Sequence, residues 1–206
     1  MIKNILWDFD GVILDSMPVR EYGFRKIFEE YNIEYVEKLL EYHNKNGGLS
    51  RYVKIRYFFE EILKESIDDE KIQYFANNFS YIMKKELINR KYLIVDTMEF
   101  ITQYYKKYNF HIVSGSDEKE LQYLCKELEI EEYFISINGS PTPKNKLVKN
   151  LLLAYDYHQN ETILIGDSIN DYEASKINNL DFYGFNNTNL KELSKEYLSC
   201  YKRFYI

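Results

Sequence analysis

The sequence predicts an α/β protein: an open parallel sheet flanked by helices, with a helical segment inserted after the first strand. Three observations carry this prediction. Short apolar runs with little alternation recur along the chain, helical patterns lie between most of them, and residues 16–91 hold no strand-like run. Unalternating apolar runs belong to strands buried on both faces, and strand–helix alternation builds a parallel sheet.

The first strand is Ile2 to Trp7, an apolar run that ends at Asp8. The segment after it is nearly all helical pattern, as in Tyr57-Phe58-Phe59-Glu60-Glu61-Ile62-Leu63. Gly47-Gly48 breaks its middle, where glycine permits close approach or unusual backbone angles. The segment reads as a helical cap over the carboxyl edge of the sheet. The expected division is therefore a core of residues 1–15 and 92–206 and a cap of residues 16–91. The second strand is Phe110 to Val113, ending in Ser114-Gly115-Ser116. A helix follows from Asp117 to Leu128, with Leu121, Leu124, Cys125 and Leu128 at helical spacing. The third strand is Phe134 to Ile137, followed by a helix from Lys146 to Tyr155. The fourth, Thr162 to Ile165, ends in Gly166-Asp167 and precedes a helix from Asp171 to Ile177. Leu180 to Phe185 make the fifth. In an open sheet of this kind, ligands bind at the carboxyl ends of the strands.

With 206 residues, the chain is long enough for one core and a smaller insert. A composition 45% apolar and 29% charged belongs to a folded chain. The net charge of −6 argues against a nucleic-acid partner, and pairs such as Lys106-Lys107 read as solvated faces. No run of 18 apolar residues exists to span a membrane, and the apolar stretch after Met1 is too short for a signal peptide. Cys125 and Cys200 lack metal-site spacing, so a reducing, cytoplasmic setting is expected. The 21 tyrosines read mostly as half-buried packing residues. His43, His111 and His158 are isolated, and His111 reads as packed. The sequence carries no signal for the oligomeric state.

The strand ends hold the chemistry. Asp8 and Asp10 follow the first strand, Ser114 the second and Asp167 the fourth, with Asp171 close behind. Carboxylates converging from separate strand ends repel unless a cation joins them. Hard oxygen ligands favour magnesium, which takes one or two carboxylates and keeps waters or phosphate. Lys144 or Lys146 brings positive charge to the same edge. Backbone amides near Gly115 offer phosphate a seat at the start of a helix. On an extended strand, Asp8 and Asp10 would share one side while Phe9 points into the core. The blander readings are turn-forming aspartates before Gly11, and a helix cap and first-turn acid at Asp167 and Asp171.

DFDGVILD resembles the first motif of the haloacid dehalogenase superfamily, hhhDxDGxhxD. Ser114 in HIVSGS is similar to its second motif, Lys144 in PTPKNK to its third, and Asp167 and Asp171 in IGDSIND to its fourth. The four motifs stand in the family's order and spread from residue 2 to 171. The chain lacks the Lys-Pro pairing common in the family. Lys144 is preferred as the active-site lysine, with Lys146 the alternative.

The resemblance implies a Rossmann-like core with a helical cap, in the branch of phosphoglycolate phosphatase and β-phosphoglucomutase. It implies Asp8 as nucleophile, forming an aspartyl-phosphate, and Asp10 as the group that protonates the leaving group and then activates water. Magnesium would be held by Asp8, the Asp10 backbone carbonyl and Asp167, with Asp171 as ligand or orienter. Ser114 and Gly115 would bind the phosphoryl group and Lys144 would neutralise its charge. Ser116 is assigned the cap of the helix starting at Asp117, and Asp15 a structural role at the entry to the insertion. Gly48-Leu49-Ser50-Arg51-Tyr52 resembles a substrate-facing cap loop, in which Arg51 would contact an anionic or hydroxylated substrate.

The implied activity is a magnesium-dependent phosphatase acting on a small phosphorylated metabolite, a sugar phosphate or a phosphoglycolate-like acid. A phosphosugar mutase would share the same residues. A non-catalytic phosphate-binding module fits poorly: no motif position is lost, and a receiver domain has no large helical insert.

Overall fold

The computed structural model describes residues 1–204. The chain enters the sheet at β1 (Asn4–Trp7), buried at every position. It then leaves for α1 (Met17–Ile27), α2 (Ile33–Lys45), α3 (Arg51–Tyr57), a π-helical turn (Phe58–Leu63) and α4 (Asp69–Glu86). It returns through α5 (Val95–Tyr104), β2 (Asn109–Asp117), α6 (Glu118–Glu127), β3 (Ser136–Ser140) and α7 (Lys144–Ala154). The chain closes with β4 (Thr162–Gly166), α8 (Ile169–Ile177), β5 (Asp181–Phe185) and the short β6 (Glu196–Leu198).

The described strands form one parallel sheet in the order β3-β2-β1-β4-β5-β6. Strand β1 is central, with Trp7 in register with Ile112 on one side and Ile165 on the other. Its side chains alternate between two cores. Ile5 and Trp7 join one, with Phe100, Phe110 and Tyr201 around the indole, and Leu6 joins the other, with Val113, Val148 and Leu164. A strand apolar on both faces therefore has no alternation to show in sequence. Placing β1 between β2 and β4 brings the ends of all three to one edge.

One expected strand needs correction, and a sixth strand was not expected. The third lies at Ser136–Ser140 rather than Phe134 to Ile137: Phe134 closes a 3₁₀ turn and packs into the core before the ladder begins, where Ser136 pairs with His111. β6 was not legible, because three residues are too few to show a period. The ladder between β2 and β3 is irregular between Val113 and Asp117, the stretch that holds Ser114 and Gly115. Irregularities of this kind re-aim side chains beside functional sites.

The insertion has its own aromatic interior. Phe28 stacks on Phe58 at 4.1 Å, and Phe24 meets Phe79 at 4.5 Å. The chain leaves and re-enters the core side by side: Asp15 N–H donates to the Tyr92 carbonyl at 2.7 Å and Ile94 N–H to the Ile13 carbonyl at 2.9 Å. No helix among the described residues is long and apolar enough to cross a membrane. Phe58 is fully buried in the insertion. Phe58→Ala is expected to cost about 3–5 kcal/mol in urea unfolding; a loss below about 1 kcal/mol would contradict this packing.

Candidate active site

Lysine 144 is the first residue of α7, and its ammonium donates to Asp8 Oδ1 at 2.7 Å and to the Asp171 carboxylate. All three side chains are buried. Helix geometry explains why Lys144 and not Lys146 sits here. Two residues advance about 200° around a helix, so Lys146 faces solvent. Asp171 is placed by the start of α8, where it forms a capping box with Ser168. The helix cap and the bond to Lys144 are thus held by one residue.

Asp8, Asp167 and Asp171 each bring a carboxylate oxygen within 4.8 Å of the others. Gly11 makes room for this, with φ at +79° and no side chain; a Cβ there would stand 2.0 Å from Asp167 Oδ2. Burial, then the Asp171 charge, push Asp8 up to about 7 despite Lys144. Burial, then the charge of Asp8, raise Asp167 well above the usual carboxylate range. Burial opposes the charge on Lys144, yet Asp171 and Asp8 outweigh it and raise the ammonium above its ordinary value. One lysine thus faces three crowded carboxylates. That deficit, in a set of hard oxygen donors, fits a divalent cation.

Asp10 stands apart from this cluster. Its carboxylate accepts from Ser16, from Arg20 Nε at 2.8 Å and from Ser116 Oγ at 2.5 Å. Burial alone would raise it, but Arg20 and these hydrogen bonds hold it down at about 2. Strand β1 ends at Trp7, so Asp8 and Asp10 do not share a strand face. Asp10 lies in a turn closed by Ile13 and Leu14 N–H, both donating to the Phe9 carbonyl at 2.9 Å, and Phe9 is fully buried. Ser114 is buried in the carboxyl-terminal half of β2, where its Oγ accepts from Ser116 N–H at 3.0 Å. One assignment is corrected. Ser116 does not cap α6: Asp117 caps its own helix by accepting from Glu120 N–H at 3.0 Å, leaving the Ser116 hydroxyl for Asp10. Asp15 is exposed, and its contribution is the backbone bond to Tyr92.

The insertion closes over this edge. A Cβ on Gly115 would stand 2.1 Å from the Gly48 carbonyl oxygen, so the loop between α2 and α3 rests directly on the carboxyl-terminal half of β2. Beneath it lies a small cavity of about 30 Å³ lined by Asp8, Asp10 and Ser114 from the core and by Arg20, Arg51 and Lys54 from the insertion. Arg51 is fixed by Glu120 at 2.6 Å and by Ser80, while Arg20 reaches the other Glu120 oxygen at 2.7 Å. Glu120 is fully buried; burial would raise its pKa, but Arg51 and Arg20 lower it. Arg20, Glu120 and Lys54 escaped the sequence reading, and His43, read as isolated, bonds Lys54 at 2.8 Å, although a signal existed for each. Each occupies an apolar helix face: Glu120 precedes Leu124 by four, Arg20 precedes Phe24 by four, and His43 follows Leu39 by four. His111 is packed as expected, bonded to Ser136 at 2.7 Å and Tyr157 at 3.0 Å.

Arg20 serves two buried carboxylates. Arg20→Met strips Asp10 and Glu120 of that charge and is expected to cost about 3–5 kcal/mol in urea unfolding. A cost under about 1 kcal/mol would mean that the network does not join insertion to core.

Comparison with known proteins agrees with this architecture. The sequence profile of the haloacid dehalogenase-like hydrolases matches residues 5–185. The phosphorylated carbohydrates phosphatase of Thermotoga maritima is 22% identical over 183 residues, covering 85% of this chain and 81% of that protein. The structure resembles β-phosphoglucomutase from Clostridium difficile, at a TM-score of 0.78 and 15% identity over 100% of this chain and 94% of that one. It also resembles CbbY from Rhodobacter sphaeroides in complex with phosphate, at a TM-score of 0.77 and 15% identity over 98% and 96% of the two chains. At such identities, the structural likenesses speak to the fold alone. The profile spans nearly all of the sheet and the whole insertion, and on that ground the chain belongs to the haloacid dehalogenase-like hydrolases.

Proposed function

We propose that the protein is a magnesium-dependent phosphatase acting on a small phosphorylated metabolite through an aspartyl-phosphate on Asp8, with residues 16–91 as its cap. The observation that carries this reading is the Lys144 ammonium held between Asp8 and Asp171 beside the cavity. A carboxylate attacks a phosphate dianion only where positive charge offsets the repulsion. Lys144 supplies part of it. Asp8, Asp167 and Asp171 would hold magnesium, which when bound would neutralise further charge on the phosphoryl oxygens. The phosphorylated-carbohydrate phosphatase among its relatives supports the same substrate class. The two free thiols, Cys125 and Cys200, suit a reducing cytoplasm.

The remaining roles follow from position. Asp8 forms a bond to phosphorus as the leaving oxygen departs, and Asp10 carries the proton to that oxygen. In the substrate-free arrangement Arg20 keeps Asp10 ionised, the state that takes a proton from water in the second half-reaction. A substrate anion that engages Arg20 loosens this pair and lets Asp10 accept and pass on a proton. Ser114 and the amides near Gly115 hold phosphoryl oxygens. The seat of Gly48 on Gly115 keeps bulk water out during transfer. That same seal favours a second reading, a phosphosugar mutase that returns the phosphoryl group to sugar.

Three measurements test these readings. Asp8→Asn is expected to lower kcat by about a thousandfold or more, about 4 kcal/mol of barrier. Its circular dichroism should stay native, because the change relieves crowded carboxylates; near-normal turnover would sink the mechanism. Hydrolysis of p-nitrophenyl phosphate should stop in EDTA and return with magnesium, and an undiminished rate in EDTA would refute the metal assignment. With a hexose 1-phosphate, the phosphatase reading expects free phosphate; a hexose 6-phosphate without phosphate release would establish the mutase instead.

A further inference from the structure

With the insertion seated on the sheet edge, the cavity at Asp8 and Asp10 measures about 30 Å³. That is room for about one or two waters, and not for a phosphate ester. Substrate enters only when the insertion lifts from the core, so the contacts that part at this seam govern access. They gather on the first turn of α6, a core helix. Glu120, fully buried there, accepts from Arg20 of α1 at 2.7 Å and from Arg51 of α3 at 2.6 Å. Arg51 also donates to Ser80 of α4, and the neighbouring Tyr52 hydroxyl donates to Asp117, the cap of α6, at 2.7 Å. Three insertion helices thus converge on one turn of the core. Of the three ion pairs that Arg20 and Arg51 make with the core, two end on Glu120 and the third on Asp10.

Glu120 is not what holds α6 to the sheet. Leu121, Leu124 and Cys125 do that, all fully buried in the apolar core. Nor would a permanent seam call for charge, since an apolar junction of the same volume is as stable or more so. Charged partners differ from apolar ones in being separable: each regains water when the seam opens, whereas exposed apolar surface is penalised. The closed arrangement is also incompletely satisfied. Arg20 Nη2, Arg51 Nε and Arg51 Nη2 are buried and find no partner among the described residues. Buried donors of this kind weigh against closure, and hydration on opening relieves them. Glu120 is the counterweight, which makes the seam tight and still reversible.

We propose that Glu120 is the latch of the insertion: a positioning residue of the core that clamps Arg20 and Arg51 when the site is closed and releases both to admit substrate. The inference rests on the phosphatase reading for the need to open, and adds the residue that sets how often opening occurs. Glu120 lies outside the four motifs and acts through the two arginines, without touching the reacting atoms.

Amide hydrogen exchange, read by mass spectrometry on the full chain, tests the latch. Glu120→Gln keeps the shape of the side chain and removes its charge. The peptide of residues 46–53, which holds the loop seated on Gly115, should then exchange at least about tenfold faster than in the wild type, while residues 162–166 in β4 stay within about twofold. An unchanged rate in 46–53 overturns the latch, because nothing was released. An equal rise in both peptides also overturns it, because Glu120 then merely supports the fold. Should Glu120→Gln fail to fold, Glu120→Asp gives the same comparison, since it keeps the charge and draws it back from both arginines by one methylene. A second measurement reads access itself. In Asp8→Asn, the association rate of inorganic phosphate, followed by stopped-flow fluorescence of the buried Trp7, should level off at the opening rate as phosphate is raised. Adding Glu120→Gln should lift that plateau at least about tenfold; the same plateau, or none in Asp8→Asn alone, rejects the latch. Failure of phosphate to bind at all would instead overturn the phosphatase reading, and hydrogen exchange then judges the latch by itself.

Discussion

The structure depends on one constraint: three carboxylates at the edge of a parallel sheet must share a buried corner without repelling it apart. Lys144 meets it in part, bonding Asp8 and Asp171 at once. Everything nearby serves this arrangement. Strand β1 is central, so its end adjoins those of β2 and β4. Gly11 lets Asp167 approach, and the capping box turns Asp171 inward. The charge left over after Lys144 leaves the corner suited to a cation. A purely structural cluster would be neutralised by its own side chains or would shed its acids for apolar packing.

A second buried network joins this corner to the insertion. Asp10, Arg20, Glu120 and Arg51 form a chain of ion pairs running from the core turn through α1 and α6 to α3. Each arginine has a carboxylate, and each carboxylate has an arginine. The result fixes Asp10 as an anion and holds the α2–α3 loop down on Gly115. Charge and closure therefore share members, and moving the insertion disturbs the Asp10 carboxylate. Lys54, outside this exchange of partners, is left to face the cavity with its charge uncompensated.

Much of this was legible in sequence. The β1, β2 and β4 runs stand out because buried strands of a parallel sheet tolerate few polar residues, and the four motifs mark their ends. Asp8, Ser114, Lys144, Asp167 and Asp171 gather at one edge because they lie at strand ends or in the first turns of the helices beside them. The residues missed or read as isolated share another property. Arg20, His43, Lys54 and Glu120 sit on apolar faces of helices α1, α2, α3 and α6, where the surrounding leucines and phenylalanines dominate the pattern. A polar residue there is an anomaly in the stripe, and its partner lies on another element up to 100 positions away. Ser116 was misassigned for a related reason: local capping geometry competes with a long-range bond to Asp10, and the latter won.

By itself, the sequence determined the α/β class, the place of the helical insertion and the strand ends at which the acids collect. Those follow from local periodicity and from residues a few positions apart. Only the tertiary structure decided which lysine reaches Asp8, which serine serves Asp10, and how the insertion meets the core. It alone brought Lys54 and His43 to face the aspartates across one cavity. The physical reason is that burial and ion pairing depend on distances through space, and those exist only once the helices have packed over the sheet.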